Sequence, residues 1–489
     1  MISAIHQKDA YKIGHIRQYP EGTTEIYSNL TARSGIHSNI PNTKGVYFVG
    51  LQYFIIDFLI NEFNRTFFIQ NKDDVVLRYK RRVSKILDYD VDISHIELLH
   101  DLQYLPVEIK ALPEGSFVPY GVPMLTIKNT KPEFYWLTNM LESVISSELW
   151  QPITTATTYM AYKKLFTEYA ARTGSPKEFI PFQGHDFSYR GMPGRHAAAI
   201  SGFSVLACGG MGTDCVPAID IAEIYYDANC DTDFIACSVN ATEHSVMCAG
   251  GENSEIETFK RLLEDIYPKG VLSIVSDSWD FFKVVTEYLP ELHNIITLRD
   301  GKLVIRPDSG DPVNIICGDP SATKGTAEYK GLIELLWEIF GGTINEKGFF
   351  VLRDKIGAIY GDSITYQRAE KILLRLEDKN FASCNIVLGI GSYTFQYVTR
   401  DTHGMAIKST NAVINGKNIP IYKNPKTDNG IKKSAKGFLM VSHQNGEYTL
   451  NDNVTSKQEK HGCLNTVFLN GALIKKQTLK DIRKLTDLN

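Results

Sequence analysis

The phrase Leu303-Val304-Ile305-Arg306-Pro307-Asp308-Ser309-Gly310-Asp311 carries a guanidinium, a carboxylate and a hydroxyl into one turn directly behind a short apolar run. Arg offers a planar fork of donors that matches phosphate oxygens, and Asp can accept from two vicinal ribose hydroxyls, so the turn is equipped to grip a phosphorylated sugar. The same two residues also read as an ion pair closing a strand end. The sugar-phosphate reading gains weight because comparable phrases follow other apolar runs nearby. Phe182-Gln183-Gly184-His185-Asp186-Phe187-Ser188-Tyr189-Arg190-Gly191 sets aromatic surface beside an arginine, and Gly212-Thr213-Asp214 presents a carboxylate. Ala241-Thr242-Glu243-His244-Ser245 presents a histidine next to a glutamate, and Val275-Ser276-Asp277-Ser278 another aspartate.

Two glycine phrases complete the set. Gly361-Asp362-Ser363 is expected to open a helix, and Gly389-Ile390-Gly391-Ser392 follows a further apolar run. Glycine lets backbone N–H groups approach an anion, and a helix N-terminus adds favourable dipole charge, so both suit phosphate; both are equally ordinary turn chemistry. His244 with its neighbouring carboxylate is either a reactive imidazole or a satisfied polar pair. Phe187 and Tyr189 are either core aromatics or, beside Arg190, a surface on which a flat ring could stack.

The elements that must position these residues follow from periodicity. Residues 180–395 alternate short apolar runs with amphipathic stretches: helix over 256–266, strand over 271–275, helix over 281–289, strand over 303–305, helix over 332–340, strand over 356–360, helix over 364–376 and strand over 385–388. Such alternation predicts parallel βα units, and the residues just behind the strands would then share one mouth of an α/β barrel, incomplete relative to the eightfold form. The chain ends read differently. Asn415-Gly416, Asn445-Gly446 and Asn470-Gly471 each sit between short apolar runs and predict antiparallel hairpins, because both positions of a type I′ turn need positive φ. The first 150 or so residues mix strand and helix patterns. The expected organisation is a discontinuous α+β domain, rich in antiparallel strands, from residues 1–178 and 396–489, around a barrel domain of residues 179–395.

At 489 residues the chain exceeds a single core, and with 43% hydrophobic and 22% charged residues it has an ordinary globular composition. A formal net charge of -4 gives no global reason to expect nucleic acid or an anionic membrane, so any anion site must be local. No apolar run approaches the roughly 20 residues a membrane helix needs. The opening Met1-Ile2-Ser3-Ala4-Ile5-His6-Gln7-Lys8-Asp9 lacks the basic and apolar regions of a secretory signal. The eight cysteines contain no Cys-x-x-Cys pair, which leaves reduced structural thiols in a cytoplasmic protein as the expectation and offers no protein metal site.

Taken in order, these phrases resemble the nicotinamide phosphoribosyltransferase family, of type II phosphoribosyltransferase architecture. The resemblance runs from Tyr11-Lys12 with Gln18-Tyr19-Pro20, through Gly50-Leu51-Gln52-Tyr53, Leu105 to Gly115 and Tyr135-Trp136-Leu137-Thr138-Asn139, to the mouth phrases above and Thr399-Arg400-Asp401. It implies transfer of phosphoribose from phosphoribosyl pyrophosphate to nicotinamide, giving nicotinamide mononucleotide and pyrophosphate, with Mg2+ and with ATP as optional co-substrate. It also implies a homodimer with active sites at the subunit interface. Phe187 and the partner subunit's Tyr11 would sandwich the pyridine ring, with Asp214 accepting from the carboxamide. Arg190 and Arg306 would hold phosphate and substrate oxygens, Asp308 the ribose hydroxyls, and Gly361, Asp362 and Gly391 would line the phosphoribosyl pocket. His244 would accept a phosphoryl group from ATP, among the carboxylates Glu243 and Asp277. Arg33, Arg400, Lys408 and Lys423 would reach pyrophosphate or ATP phosphates across the dimer. The sequence departs from the family's longer glycine run at Ser392-Tyr393. The rival expectations are nicotinate phosphoribosyl transfer and a non-catalytic binding protein on the same scaffold.

Overall fold

Each of the three Asn-Gly pairs turns a hairpin. The strands Ala406–Ile414 and Lys417–Pro420 pair antiparallel about Asn415-Gly416, Phe438–Gln444 and Glu447–Val454 about Asn445-Gly446, and Asn465–Leu469 and Ala472–Leu473 about Asn470-Gly471. All six turn residues have positive φ, as type I′ geometry requires. The computed structural model describes residues 2–361, 363–423 and 435–488.

The chain divides into two compact units, one of Met1–Thr157, Asp220–Asn229 and Val398–Asn489, the other of Thr158–Ile219 and Cys230–Tyr397. In the first unit, strands from both chain ends form one seven-stranded sheet. Its centre is Thr23–Thr31, paired antiparallel with Ala406–Ile414 on one side and with Pro123–Asn129 on the other. Val107–Ala111 continues the sheet to the hairpin that contains Asn465–Leu469. Ile109, Leu125, Ile127 and Leu30 lie buried with Phe54, Phe63 and Leu141 in its core.

The second unit holds six parallel strands: β1 (Gly184–Asp186), β2 (Asn240–Ala241), β3 (Lys269–Val275), β4 (Asp300–Arg306), β5 (Ile356–Tyr360) and β6 (Ile386–Ile390). They lie in the order β1-β6-β5-β4-β3-β2. Single parallel bridges extend the curl: Asp186 pairs with Thr213, and Gly212 pairs with Cys237, whose segment leads into β2. The circuit therefore runs from one edge of the sheet back to the other, as the expected barrel requires. Between strands, the helices Leu332–Phe340 and Tyr366–Asp378 bury Leu332, Leu336, Ile372 and Leu373. The periodic stretches at 256–266 and 281–289 are helical but pass into π-type turns at Leu262–Ile266 and Val284–Tyr288, a spacing that a 3.6-residue pattern does not reveal. No helix among the described residues is long and apolar enough to cross a membrane.

Gly446 has φ +83 and open space where a Cβ would lie, whereas a Cβ on Gly471, also at φ +83, would meet Tyr104 Cβ at 2.8 Å. Gly446→Ala should therefore cost only the left-handed backbone strain, about 1 kcal/mol, and Gly471→Ala distinctly more. Urea-denaturation midpoints of the two variants will test this; equal losses would mean that the hairpin beside Tyr104 yields freely.

Candidate active site

Most of the barrel phrases singled out by sequence emerge at the C-terminal ends of the parallel strands, and Gly212-Thr213-Asp214 lies on the single-bridge segment that extends the sheet beside β1. Asp277, two residues beyond β3, binds three of these ends together. Its Oδ2 accepts from the backbone N–H of Asp308 (2.8 Å) and of Ser309 (2.7 Å) and from the Ser309 hydroxyl, which ties the turn behind β4 to β3. Its Oδ1 lies 3.2 Å from His244 Nε2, the imidazole that follows β2. The Asp277 side chain is 5% exposed and that of His244 49%. Burial pushes the Asp277 carboxyl up, but the hydrogen bonds from Ser309, Asp308 and His244 outweigh it and hold the group below the usual carboxylate range. His244 begins the short helix His244–Cys248. Glu243 accepts from the Ser245 hydroxyl instead, so the carboxylate facing His244 is Asp277 and not its sequence neighbour.

Asp214 anchors a second cluster. Its Oδ1 accepts from His185 Nε2 (2.9 Å) and from the Ser238 hydroxyl (2.6 Å), while Oδ2 has no hydrogen-bond partner among the described residues. Burial raises this carboxyl too; the His185 and Ser238 hydrogen bonds and the nearby charges of His185 and Arg306 bring it below the usual range. The His185 ring lies against Phe187, with centroids 4.5 Å apart and planes tilted by 39°. Phe187 is fixed from β6, where its N–H donates to the Ile390 carbonyl. Glycines make the room: a Cβ on Gly389 would sit 2.6 Å from Phe187 Cδ2, and one on Gly212 2.8 Å from His185 Nδ1.

The third cluster surrounds Arg306. Its Nη2 donates to the Thr242 carbonyl (2.6 Å), while its Nε is buried with no hydrogen-bond partner among the described residues. A Cβ on Gly361 would collide with Asp308 Oδ1, so glycine is what lets β5 end beside that carboxylate. Gly391 differs: its φ is ordinary and a Cβ would meet nothing within 4 Å, so the fold does not itself demand glycine there. Asp362 lies outside the described residues. The helix expected to open at Gly361 starts at Tyr366, because Thr365 caps it by accepting from Arg368 N–H. Arg190 is exposed on the turn Tyr189–Gly191, and Gly191 is packed so closely against Ser392 that a Cβ there would collide with Ser392 Oγ. The departure at Ser392 therefore fills space above Gly191.

Inside the barrel His185, Phe187, Asp214, Ser238 and Arg306 border a cavity of about 330 Å³ that reaches Val271, Lys302 and Asn385 at the other end of the strands. Barrels normally fill this space with branched side chains. Here Gly212, Ala241, Ser273, Gly357 and Ala358 line it, and their small size leaves the cavity open. The Ser273 hydroxyl is buried there without a hydrogen-bond partner. Among the described residues there is no cluster of three or more His, Cys, Asp and Glu side chains able to hold a metal.

The remaining named residues belong to the first unit. Tyr11, 63% exposed, stands on the turn Ala10–Gly14 with its ring edge-on to His15. Arg33 and Arg400 flank one turn: Arg33 Nε donates to the Gly404 carbonyl (2.7 Å), and the Arg400 carbonyl accepts from Met405 N–H. Lys408 projects exposed from Ala406–Ile414, and Lys423 is exposed. His185, Ser238 and Ser273 were not singled out from sequence. Period-two alternation along β3 places Ser273 and Val271 on one face and could have found the first of these hydroxyls. Ser238 precedes a strand of only two residues and gives no such signal.

Residues 182–472 match the family described as nicotinate phosphoribosyltransferase (NAPRTase), and residues 3–93 match the N-terminal domain of nicotinamide phosphoribosyltransferase. The chain is 51% identical to the nicotinamide phosphoribosyltransferase of Acinetobacter baylyi, over 99% of this chain and 97% of that one. It is 30% identical to the protein of that name from Xanthomonas campestris, over 98% and 97%. Among solved structures, a nicotinate-nucleotide pyrophosphorylase from Pyrococcus furiosus shares the fold with a TM-score of 0.57 at 14% identity, covering 99% of this chain and 94% of that one. Human nicotinic acid phosphoribosyltransferase does so with a TM-score of 0.56 at 14% identity, covering 99% and 93%.

The depressed Asp277 carboxyl has a consequence for stability. A free carboxylate titrates near about 3.9, and the folded value lies lower, so Asp277 stabilises the fold fully above that pH and the contribution is lost as acid passes through the folded value. Asp277→Asn turns an N–H₂ group toward donors and should cost about 1–3 kcal/mol at neutral pH, with the difference from wild type shrinking below about pH 4. Denaturation midpoints measured across that range would refute the role of Asp277 if the gap stayed constant.

Proposed function

Because this chain belongs to the nicotinamide phosphoribosyltransferase family, we propose that it joins nicotinamide to C1 of phosphoribosyl pyrophosphate, forming nicotinamide mononucleotide and pyrophosphate for NAD biosynthesis. The observation that carries this reading is the Asp214 cluster: a carboxylate with one oxygen held by His185 and Ser238 and the other without a hydrogen-bond partner, lining the same cavity as the Phe187 ring. That arrangement suits a flat ring bearing an amide. Phe187 would support one face and the partner subunit's Tyr11 the other, while Asp214 Oδ2 accepts the amide N–H.

The nucleophile is a pyridine nitrogen, neutral near pH 7, so the reaction needs no general base. It needs the ring fixed behind C1 and the departing pyrophosphate stabilised. Arg306, with its buried Nε, and Arg190 would take substrate oxygens, and Asp308 would bind the ribose hydroxyls beside Gly361, Asp362 and Gly391. Arg33, Arg400, Lys408 and Lys423 would serve the pyrophosphate or ATP phosphates across a homodimer interface. Mg2+ keeps water and substrate oxygens as ligands and needs only one or two carboxylates from a protein. Among the mouth carboxylates, Asp308, beside Gly361, would share an ion carried in on pyrophosphate. When bound, Mg2+ would neutralise charge on the leaving group.

ATP is proposed as optional co-substrate. With Nε2–H directed at Asp277, the His244 lone pair lies on Nδ1 and can attack the γ-phosphorus of ATP, releasing ADP; water then cleaves the phosphohistidine. Glu243 lies beside it in sequence as a second carboxylate. The eight cysteines, all thiols in the structure, suit a reducing cytoplasm.

Purified protein with phosphoribosyl pyrophosphate and Mg2+ should yield mononucleotide from nicotinamide far better than from nicotinate. Asp214→Asn should lower kcat/KM for nicotinamide roughly ten- to a hundredfold, the worth of one hydrogen bond to a charged group, and narrow the preference over nicotinate. Absence of product from either base, or unchanged kinetics with both, would overturn the assignment. His244→Ala should abolish ATP-dependent stimulation and the accompanying ADP release; persistence of either would exclude His244 as the phosphoryl acceptor.

A further inference from the structure

The first unit contains a second cavity, of about 430 Å³, between its N-terminal turns and the helix Lys72–Leu87. Its polar wall consists of His6, Lys8, Tyr79 and Arg82, and its apolar wall includes Ile13 and Ile86. Lys8 Nζ donates to the Tyr79 hydroxyl at 2.9 Å and lies 4.6 Å from the centre of that ring. His6 stacks on the same ring, with centroids 5.6 Å apart and planes 14° from parallel. Arg82 Nη1 reaches only to within 3.4 Å of His6 Nδ1, and His6 Nε2 is buried with no hydrogen-bond partner among the described residues.

Cations gathered this closely repel one another, and a half-buried ammonium without a carboxylate is costly. Among the described residues no carboxylate forms an ion pair with Lys8, His6 or Arg82. Burial pushes the Lys8 amine down to about 7. Burial, with the charges of Arg82, Lys8 and Arg78, pushes His6 down to about 4. A dianion in the cavity would reverse every one of these penalties at once. A phosphomonoester matches the donors better than a carboxylate does, because its three terminal oxygens can take Lys8, Arg82 and His6 from separate directions.

We propose that this cavity binds a small phosphomonoester, its phosphate between Lys8, Arg82 and His6 and its less polar body against Ile13 and Ile86. The inference does not rest on the proposed reaction, since none of these residues takes part in it. The wall residue Ile13 and the flanking Ala10 belong to the turn that carries Tyr11, so occupancy would stiffen that turn.

The test uses the full-length chain with Arg306→Gln, which weakens anion binding at the barrel mouth. Equilibrium dialysis with radiolabelled inorganic phosphate should find a remaining site, near one per chain. Adding R82Q, a change at an exposed residue, or K8M, close in shape, should weaken it at least roughly tenfold, or 1.4 kcal/mol. Phenyl phosphate should compete more tightly than inorganic phosphate if the apolar wall contributes as proposed. Unchanged phosphate affinity in both R82Q and K8M, or no binding in the Arg306→Gln background below about 10 mM, would overturn the proposal.

Discussion

The carboxylate of Asp277 is the constraint on which the mouth of the barrel depends. Parallel strands end independently, and nothing in their ladders sets where the loops beyond them go. Asp277 supplies that instruction: one oxygen collects the backbone N–H groups of Asp308 and Ser309, and the other faces His244. The turn that carries Arg306 and Asp308 is thereby held against the loop that carries the imidazole. A neutral side chain of the same shape could accept fewer of these bonds, and a longer acid would push the loops apart. The positions of three candidate groups thus trace to one buried negative charge, kept ionised by the donors it organises.

Space is arranged by omission as much as by contact. Gly389 gives way to Phe187, Gly212 to His185 and Gly361 to Asp308. Inside the barrel, small residues stand at inward-facing positions, and the core that would otherwise stabilise the strands is replaced by a cavity. The second unit accordingly finds its hydrophobic burial outside the ring of strands, where Leu332, Leu336, Ile372 and Leu373 pack. Fold and site draw on different faces of the same strands, which separates stability from specificity along a period of two.

Much of this was legible because local chemistry dictates it. Type I′ turns demand positive φ at both central residues, so three Asn-Gly pairs announced three hairpins. Apolar runs ending in polar phrases announced the parallel strands and the mouth residues behind them. What stayed hidden depends on distant partners. Only the family resemblance put Asp277 near His244, and nothing local shows that Asp277 and not Glu243 faces it, since Glu243 is the obvious neighbour and turns instead to Ser245. Nor does any local pattern reveal that His185 and Ser238 converge on one oxygen of Asp214, because that geometry exists only once the sheet has curled far enough to pair Gly212 with Cys237. The helix read over 364–376 begins at Tyr366, where the Thr365 hydroxyl accepts from the first turn, so Gly361 is not its cap.

The choice between nicotinamide and nicotinate cannot be made by shape, because amide and carboxylate are nearly isosteric and an apolar pocket separates such pairs poorly. On the proposed reading it is made by charge, at Asp214. Asp214 lies below the usual carboxylate range and its Oδ2 has no hydrogen-bond partner among the described residues, so an incoming anion would meet negative charge there, opposed by the nearby charge of Arg306. At about 4 Å and an effective dielectric of about 20, two carboxylates repel by about 4 kcal/mol, close to a thousandfold in binding. An amide proposed for the same place would turn that penalty into a charge-assisted hydrogen bond.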